Sequence, residues 1–225
     1  MSIANSSPSH SHGPVHAHHF KDMNHQVISA KEGVWVFLVT EILMFGALFV
    51  LYAIFRAQYP EMFQYGSKLL NPWLGGLNTL VLITSSLTMA LAVHHAHHGD
   101  NEKALPHLFN TFLLAGLFLF VKYFEYSYKF YHGELPGSFF HFEALSSTMG
   151  EAPSNLALFF GLYFVMTGLH GIHILIGMML ISWLMFRMKR GDFSAQNNVA
   201  VEGVGLYWHI VDIIWIYLFP LMYLI

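Results

Sequence analysis

The stretch Leu156-Ala-Leu-Phe-Phe-Gly-Leu-Tyr-Phe-Val-Met-Thr-Gly-Leu-His-Gly-Ile-His-Ile-Leu-Ile-Gly-Met-Met-Leu-Ile-Ser-Trp-Leu-Met-Phe186 contains no Asp, Glu, Lys or Arg. It exceeds the roughly 20 apolar residues that a helix needs to cross the hydrocarbon core of a bilayer. A transmembrane β-strand would alternate in polarity over only about 10 residues. The stretch therefore predicts a transmembrane α-helix.

The rest of the chain repeats this pattern. The chain is 55% hydrophobic and only 10% charged, whereas a soluble domain carries about 25% charged residues. The predicted fold is an all-α integral membrane bundle, with residues 1–30 as a His-rich polar tail and residues 31–225 as one domain. Five transmembrane helices are predicted, at residues 33–55, 73–93, 105–128, 156–186 and 201–225.

Glycine and proline mark the predicted helix ends. Pro72 precedes the second span, and Gly99 and Gly191 follow the second and fourth. Pro106 is predicted in the first turn of the third span, where its missing N–H costs little.

Basic residues predict the orientation, because cytoplasmic loops carry an excess of Lys and Arg. The N-terminus is predicted inside and the C-terminus outside, in a bacterial inner membrane. The predicted inner side holds Lys21, Lys31, Lys103, Arg187, Lys189 and Arg190, and the outer side holds Arg56, Lys68 and Lys129.

Composition also excludes several classes of function. The formal net charge is -3, so no basic surface predicts nucleic acid binding, and the chain contains no Cys. Disulfides, thiolate metal sites and thiol nucleophiles are therefore excluded. The polar first thirty residues lack the apolar segment of a secretory signal peptide.

Glu41 lies in the middle of the first span with no cation within helical reach. An unpaired carboxylate in hydrocarbon costs a few kcal/mol. Two interpretations follow: a neutral Glu that donates one hydrogen bond to another helix, or a site for a lipid headgroup or a proton.

Glu125 lies between Lys122 and Lys129 in the third span. Spacings of three and four residues place these side chains on one helix face. They predict an intrahelical ion pair near the outer boundary, or a site where Lys122 and Glu125 together hold a phospholipid headgroup.

The last two spans carry further polar groups. His170 and His173 share a face and predict either hydrogen bonds across helices or half of a metal site. His209 and Asp212 are three residues apart and predict a local polar pair, and Glu202 lies nearby in sequence. The structural interpretation is favoured for each, with no metal assigned.

The chain has 16 His, and two groups are predicted on the inner side. Their clustering favours either a solvated surface or binding of a divalent ion. They are His10, His12, His16, His18, His19 and His25 in the tail and His94, His95, His97 and His98 after the second span.

Five blocks in consecutive order identify the sequence as resembling subunit III of the haem-copper oxidases. Each block lies on a separate predicted helix, and together they are far more specific than any one alone. They are residues 33–41 (GVWVFLVTE), 77–92 (LNTLVLITSSLTMALA), 122–126 (KYFEY), 167–173 (TGLHGIH) and 205–220 (GLYWHIVDIIWIYLFP).

The resemblance implies a non-catalytic core subunit of a terminal oxidase that reduces oxygen to water and pumps protons. It implies that haem and copper lie in partner subunits, that subunits I and II and a small subunit IV are partners, and that cytochrome c or a quinol is the electron donor. It also implies bound phospholipid, support of proton uptake and a route for oxygen. The longest family members have seven helices, and this sequence matches from the third, as in the five-helix bacterial form.

The resemblance also implies roles for individual residues. Lipid-binding or cleft positions are Trp35, Glu41, Lys122 and Glu125. Structural polar positions are His170, His173, Glu202, His209 and Asp212. No catalytic residue is expected in this chain.

Two other functions remain open from the sequence. One is the subunit-III-like protein of nitric oxide reductases, which shares the architecture. The other is a metal-ion transporter, which the His-rich segments suggest but the scattered depths of the intramembrane polar groups disfavour.

Overall fold

The computed structural model describes residues 23–131, 153, 155–194 and 198–225. Within these residues it contains six α-helices, five of them long and apolar enough to cross a membrane. The predicted all-α fold with five spans is confirmed. The helices are α1 (Met23–Gln58), α2 (Pro60–Lys68), α3 (Pro72–His97), α4 (Asn101–Tyr131), α5 (Leu156–Lys189) and α6 (Val199–Tyr223).

Helix ends follow the local sequence. Asn71 caps α3, accepting hydrogen bonds from the N–H groups of Trp73 at 3.0 Å and Leu74 at 3.4 Å. Gly99 and Gly191 adopt φ of 76° and 78° after α3 and α5. A residue with a side chain is strained in this left-handed region, so glycine is the favoured residue to end these two helices.

Three details differ from the prediction. Pro106 lies inside α4 rather than in its first turn, because α4 begins at Asn101. The short helix α2 was not predicted. It begins with Pro60 at its first position and is too short to cross a bilayer. Its polar residues make the segment look like a loop when the sequence is read alone. The described part of α1 begins at Met23, so residues 23–30 of the predicted tail are helical, whereas residues 1–22 lie outside the described residues.

Helices α3, α4, α5 and α6 form a closed ring, each packed on the next and α6 packed on α3. Helix α1 lies outside the ring against α6 and α5, and α2 covers the ends of α5, α6 and α1. The core inside the ring is rich in aromatic side chains. Its largest fully buried members include Trp208, Trp215, Tyr163, Phe118, Phe159 and Phe160.

Successive long helices run antiparallel, which gives the bundle two ends. We call the end where α1, α4 and α6 begin the N-terminal end, and the end where α6 stops the C-terminal end. Lys31 and Glu202 meet at the N-terminal end, and Tyr52 donates a hydrogen bond to the Leu221 carbonyl near the C-terminal end. The described residues of the two predicted basic groups lie at opposite ends of the bundle, whereas Lys21 lies outside the described residues.

Candidate functional site

A buried polar cluster lies near the C-terminal end, which we call the lysine–tyrosine cluster: Lys122, Glu125, Tyr163 and Tyr223. Lys122 Nζ lies 2.9 Å from Glu125 Oε2 and 2.6 Å from the Tyr223 hydroxyl. Both tyrosines donate to Glu125 Oε1, at 2.8 Å from Tyr163 and 2.5 Å from Tyr223. The predicted ion pair is confirmed, and hydrogen bonds from two other helices complete it.

Aromatic rings enclose the Lys122 ammonium. Its Nζ lies 4.6 Å from the ring centroid of Trp215 and 5.1 Å from that of Tyr223. A cation over an aromatic face gains electrostatic energy, and more so away from water. The charge of Lys122 is therefore compensated by the Glu125 carboxylate, the Tyr223 hydroxyl and the surrounding ring faces. These contacts join α4, α5 and α6.

A cleft of about 850 Å³ opens beside this cluster, between the α2–α3 connection and α4. Glu125 reaches its wall, whereas Lys122 does not. Lys68 is exposed at the rim, and Lys129 is buried with its ammonium 4.9 Å from the Phe160 ring. Apolar and aromatic side chains line most of the remainder: Leu69, Leu70, Leu74, Phe124, Tyr128 and Tyr131.

Glu41 and His173 join α1 to α5 in the middle of the bundle. Glu41 Oε2 lies 2.8 Å from His173 Nε2. His173 Nδ1 lies 2.7 Å from the Leu169 carbonyl oxygen, which can only accept, so Nδ1 carries a proton. One further proton occupies the Glu41–His173 bond on either atom. The pair is therefore net neutral, whether it is an ion pair or two neutral groups.

Glu202 belongs to a second ionic group, at the N-terminal end. Its carboxylate lies 2.9 Å from Lys31 Nζ and 3.0 Å from His97 Nε2. His97 Nδ1 lies 2.9 Å from the Asn198 amide nitrogen. Glu202 is thus an end-of-helix residue that ties α1, α3 and α6 together. Trp35, which is 58% exposed, lies beside Lys31 and Glu202 in a cleft of about 230 Å³.

The predicted local pair between His209 and Asp212 does not form. His209 Nδ1 lies 2.7 Å from the Ser86 hydroxyl on α3 instead. Neither carboxyl oxygen of Asp212 makes a hydrogen bond within the described part of the chain. His209 bonds the Ser86 hydroxyl rather than Asp212, because Ser86 on α3 faces the His209 ring directly.

His170 and His173 have different environments although they share a helix. His173 makes the predicted interhelical hydrogen bond, but neither ring nitrogen of His170 hydrogen-bonds a described residue. The His170 ring instead packs on Trp215, with centroids 5.3 Å apart, and edge-on to Phe118 at 5.5 Å. Within residues 23–131, 153, 155–194 and 198–225, no group of three or more His, Cys, Asp or Glu could hold a metal ion.

Sequence reasoning missed the hydroxyl residues of α3. Thr79 accepts a hydrogen bond from Trp215 Nε1 at 3.1 Å, and Ser85 accepts one from Trp208 Nε1 at 2.9 Å. Such hydrogen bonds are a regular means of helix association in membranes. The recurrence of Ser and Thr through the apolar α3 sequence could have indicated these hydrogen bonds. Their partners could not be identified, because they lie more than a hundred residues away in sequence.

The geometry defines a class: a multi-pass α-helical membrane protein in which several titratable groups pair inside the bundle or at its ends. Comparison with known proteins defines the family. The cytochrome c oxidase subunit III family model matches residues 11–225, and the chain belongs to this family. Its members include subunits of haem-copper respiratory oxidases, which are oxidoreductase complexes.

Individual relatives support the assignment. The chain is 33% identical over 194 residues to cytochrome c oxidase subunit 3 of Synechocystis, covering 86% of this chain and 74% of the relative. It is 30% identical over 192 residues to cytochrome bo(3) ubiquinol oxidase subunit 3 of Pseudomonas aeruginosa, covering 85% and 83%. A third relative is the heme-copper oxidase subunit I+III of Aeropyrum pernix, 27% identical over 201 residues, covering 87% of this chain and 22% of the relative.

Proposed function

We propose that this chain is the non-catalytic subunit III of a terminal oxidase that reduces oxygen to water and pumps protons. It scaffolds subunit I, holds phospholipids and supports proton uptake and oxygen access, while haem and copper belong to partner subunits. The observation that carries the proposal is the family match over residues 11–225. The Aeropyrum relative, named as subunit I+III, supports direct packing against subunit I.

The lysine–tyrosine cluster contributes to scaffolding. Two tyrosines from two other helices hydrogen-bond one buried ion pair of α4, so α4, α5 and α6 are fixed relative to one another at the C-terminal end of the bundle. A rigid end of this kind presents a constant surface to a neighbouring subunit, because separating the helices would remove the tyrosine hydrogen bonds from a buried ion pair in a medium without water.

The cleft of about 850 Å³ beside the cluster is the proposed phospholipid site. Its apolar wall suits acyl chains, and the exposed Lys68 at its rim suits a phosphate. The Lys122 ammonium is enclosed and already paired, so a headgroup would bind Lys68 and the rim of the cleft rather than Lys122.

The Glu41–His173 pair is the proposed contribution to proton handling. It holds one proton between two titratable groups on different helices, at a position where α1 is the outermost helix of the bundle. We propose that the chain lies in the bacterial cytoplasmic membrane with its N-terminal end inside, and that the donor to the complex is cytochrome c or a quinol.

Glu41→Gln tests these roles together. Gln keeps the shape and one hydrogen bond but cannot hold the proton, so we expect assembly to be normal while activity declines over repeated turnovers. Oxygen uptake over many turnovers and lipid content by mass spectrometry are measured on the purified complex. The matched control is Glu32→Gln, at an exposed position of the same helix. Unchanged long-term turnover with unchanged bound lipid would contradict a role for Glu41.

A further inference from the structure

Four histidines lie close together at the N-terminal end of the bundle, where α3 ends and α4 begins: His94, His95, His98 and His107. The ring centroids of His94 and His98 are 4.6 Å apart, and those of His95 and His107 are 5.3 Å apart with the rings stacked. Neither the proposed oxidase function nor the helix packing uses the His94–His98 pair. Both side chains are exposed.

His94 and His98 are separated by four residues, so they lie on one face of the last turn of α3. Two His at this spacing on a helix are the arrangement with which a helix presents two imidazoles to one zinc ion. Imidazole nitrogen suits Zn²⁺, Cu²⁺ and Ni²⁺. The two rings lie side by side in the folded chain, as this spacing requires.

The hydrogen bond of His98 prepares it as a ligand. Its Nδ1 lies 2.9 Å from the His94 carbonyl oxygen, and since a carbonyl can only accept, the proton lies on Nδ1. The lone pair of neutral His98 is therefore on Nε2. Metal-binding histidines almost always donate their other ring N–H to a carboxylate, a carbonyl or water in this way.

The neighbouring histidines are engaged elsewhere. Both nitrogens of His97 have partners, Nε2 on Glu202 and Nδ1 on Asn198, and the stacked ring of His95 lies flat against His107. The His94 ring is exposed and lies beside the His98 ring, with centroids 4.6 Å apart. The exposed pair at helical spacing is therefore His94 and His98.

We propose that His94 and His98 form a chelating site for a divalent transition-metal ion of the Zn²⁺, Cu²⁺ or Ni²⁺ type at the end of α3. With two protein ligands, water completes the coordination, so the ion exchanges with solvent rather than being a resident cofactor. An ion bound across the last turn of α3 stabilises that turn, because the ion binds the turn when it is helical and not when it is frayed.

The test uses the complete complex purified through a tag without histidine, with Zn²⁺ alone as the probe. Each histidine is modified with diethyl pyrocarbonate at increasing Zn²⁺ concentration, and protection is read by peptide mass spectrometry. We expect His94 and His98 to become protected together, with one half-saturation concentration. Reactivity of His94 that persists at every Zn²⁺ concentration would overturn the site.

Two variants make the result specific. In His98→Ala, the Zn²⁺ concentration that protects His94 should rise by more than about tenfold, since loss of even an outer partner costs about 10–100-fold in affinity. In the matched control His107→Ala, it should stay unchanged. Equal protection of His94 in wild type and His98→Ala would overturn the proposal. So would loss of protection when His10, His12, His16, His18 and His19 are replaced by Ala, because the tail would then supply the ligands.

Discussion

Helices α1 and α6 are both apolar enough to cross a membrane, yet the bundle holds them differently. In an apolar 18-residue segment of each helix, 50% of the residues are buried in α6 but only 11% in α1. Helix α6 inserts Trp208 and Trp215 into the core, and both indoles donate to hydroxyls of α3. Its position follows from close packing together with hydrogen bonds.

Helix α1 buries Leu38 and Phe45 against the bundle and makes polar contacts at three points along its length. Lys31 pairs with Glu202 at the N-terminal end, Glu41 with His173 in the middle, and Tyr52 with the Leu221 carbonyl near the C-terminal end. Packing and interhelical hydrogen bonds both drive helix association in lipid, so these three bonds add to the contact made by the buried side chains of α1. The ring is held by an extensively buried core, whereas the outer helix is held by a narrow buried face and three polar bonds.

The largest expected effect concerns the ring. Lys122→Met leaves Glu125 buried without its cation, which costs about 3–5 kcal/mol when one partner of a buried pair is removed. We expect this subunit to dissociate from the purified complex at a much lower detergent concentration or temperature. In the double variant Lys122→Met with Glu125→Leu, much of the loss should be recovered, because no unpaired charge remains. Equal destabilisation by the single and double variants would contradict this explanation.

A second prediction compares two glycines, one in the ring and one on α1. A Cβ at Gly177 would lie 2.5 Å from Trp208 Cζ3, whereas a Cβ at Gly46 would meet no atom of the other described helices within 4 Å. Gly177→Ala should destabilise by about 1–3 kcal/mol, since overpacking forces a core side chain to move. Gly46→Ala should leave the stability of the subunit nearly unchanged. Thermal melting of the two complexes side by side provides the measurement.

If both alanines are tolerated equally, the contrast between packed ring and outer helix is wrong. If Gly46→Ala weakens retention of this subunit while Gly177→Ala does not, the open face of α1 at Gly46 contacts a partner closely.

The smallest expected effect is at the exposed end of α1. Lys31→Gln removes one ion pair with Glu202, in which the lysine side chain is 48% exposed. Exposed pairs contribute about 0–1 kcal/mol and are screened by salt. We expect a small loss of stability at low ionic strength that disappears at high salt. A salt-independent loss would indicate that Lys31 acts through packing against its neighbours.

Much of the fold follows from patterns that are local in sequence. The apolar runs defined all five spans, and Gly99 and Gly191 marked two helix ends because they adopt the left-handed conformation found there. The Lys122–Glu125 pair was equally predictable, since its members lie three residues apart on one helix.

The rest depended on contacts between distant residues. Nothing near Glu41 in sequence identifies His173 as its partner, and the tyrosines that complete the lysine–tyrosine cluster are indistinguishable from packing residues in an apolar run. His209 was predicted to pair with Asp212 but bonds Ser86, because the orientation of α3 decides between the two. Helix α2 was missed since a nine-residue amphipathic segment resembles a connection.

The most direct test of the central claim is purification in mild detergent through a tag on this chain, followed by an optical spectrum and a peptide inventory. The proposal predicts reduced-minus-oxidised haem bands together with peptides of oxidase subunits I and II in stoichiometric amounts. A colourless protein that purifies alone and remains stable would contradict a role as subunit III of a working oxidase.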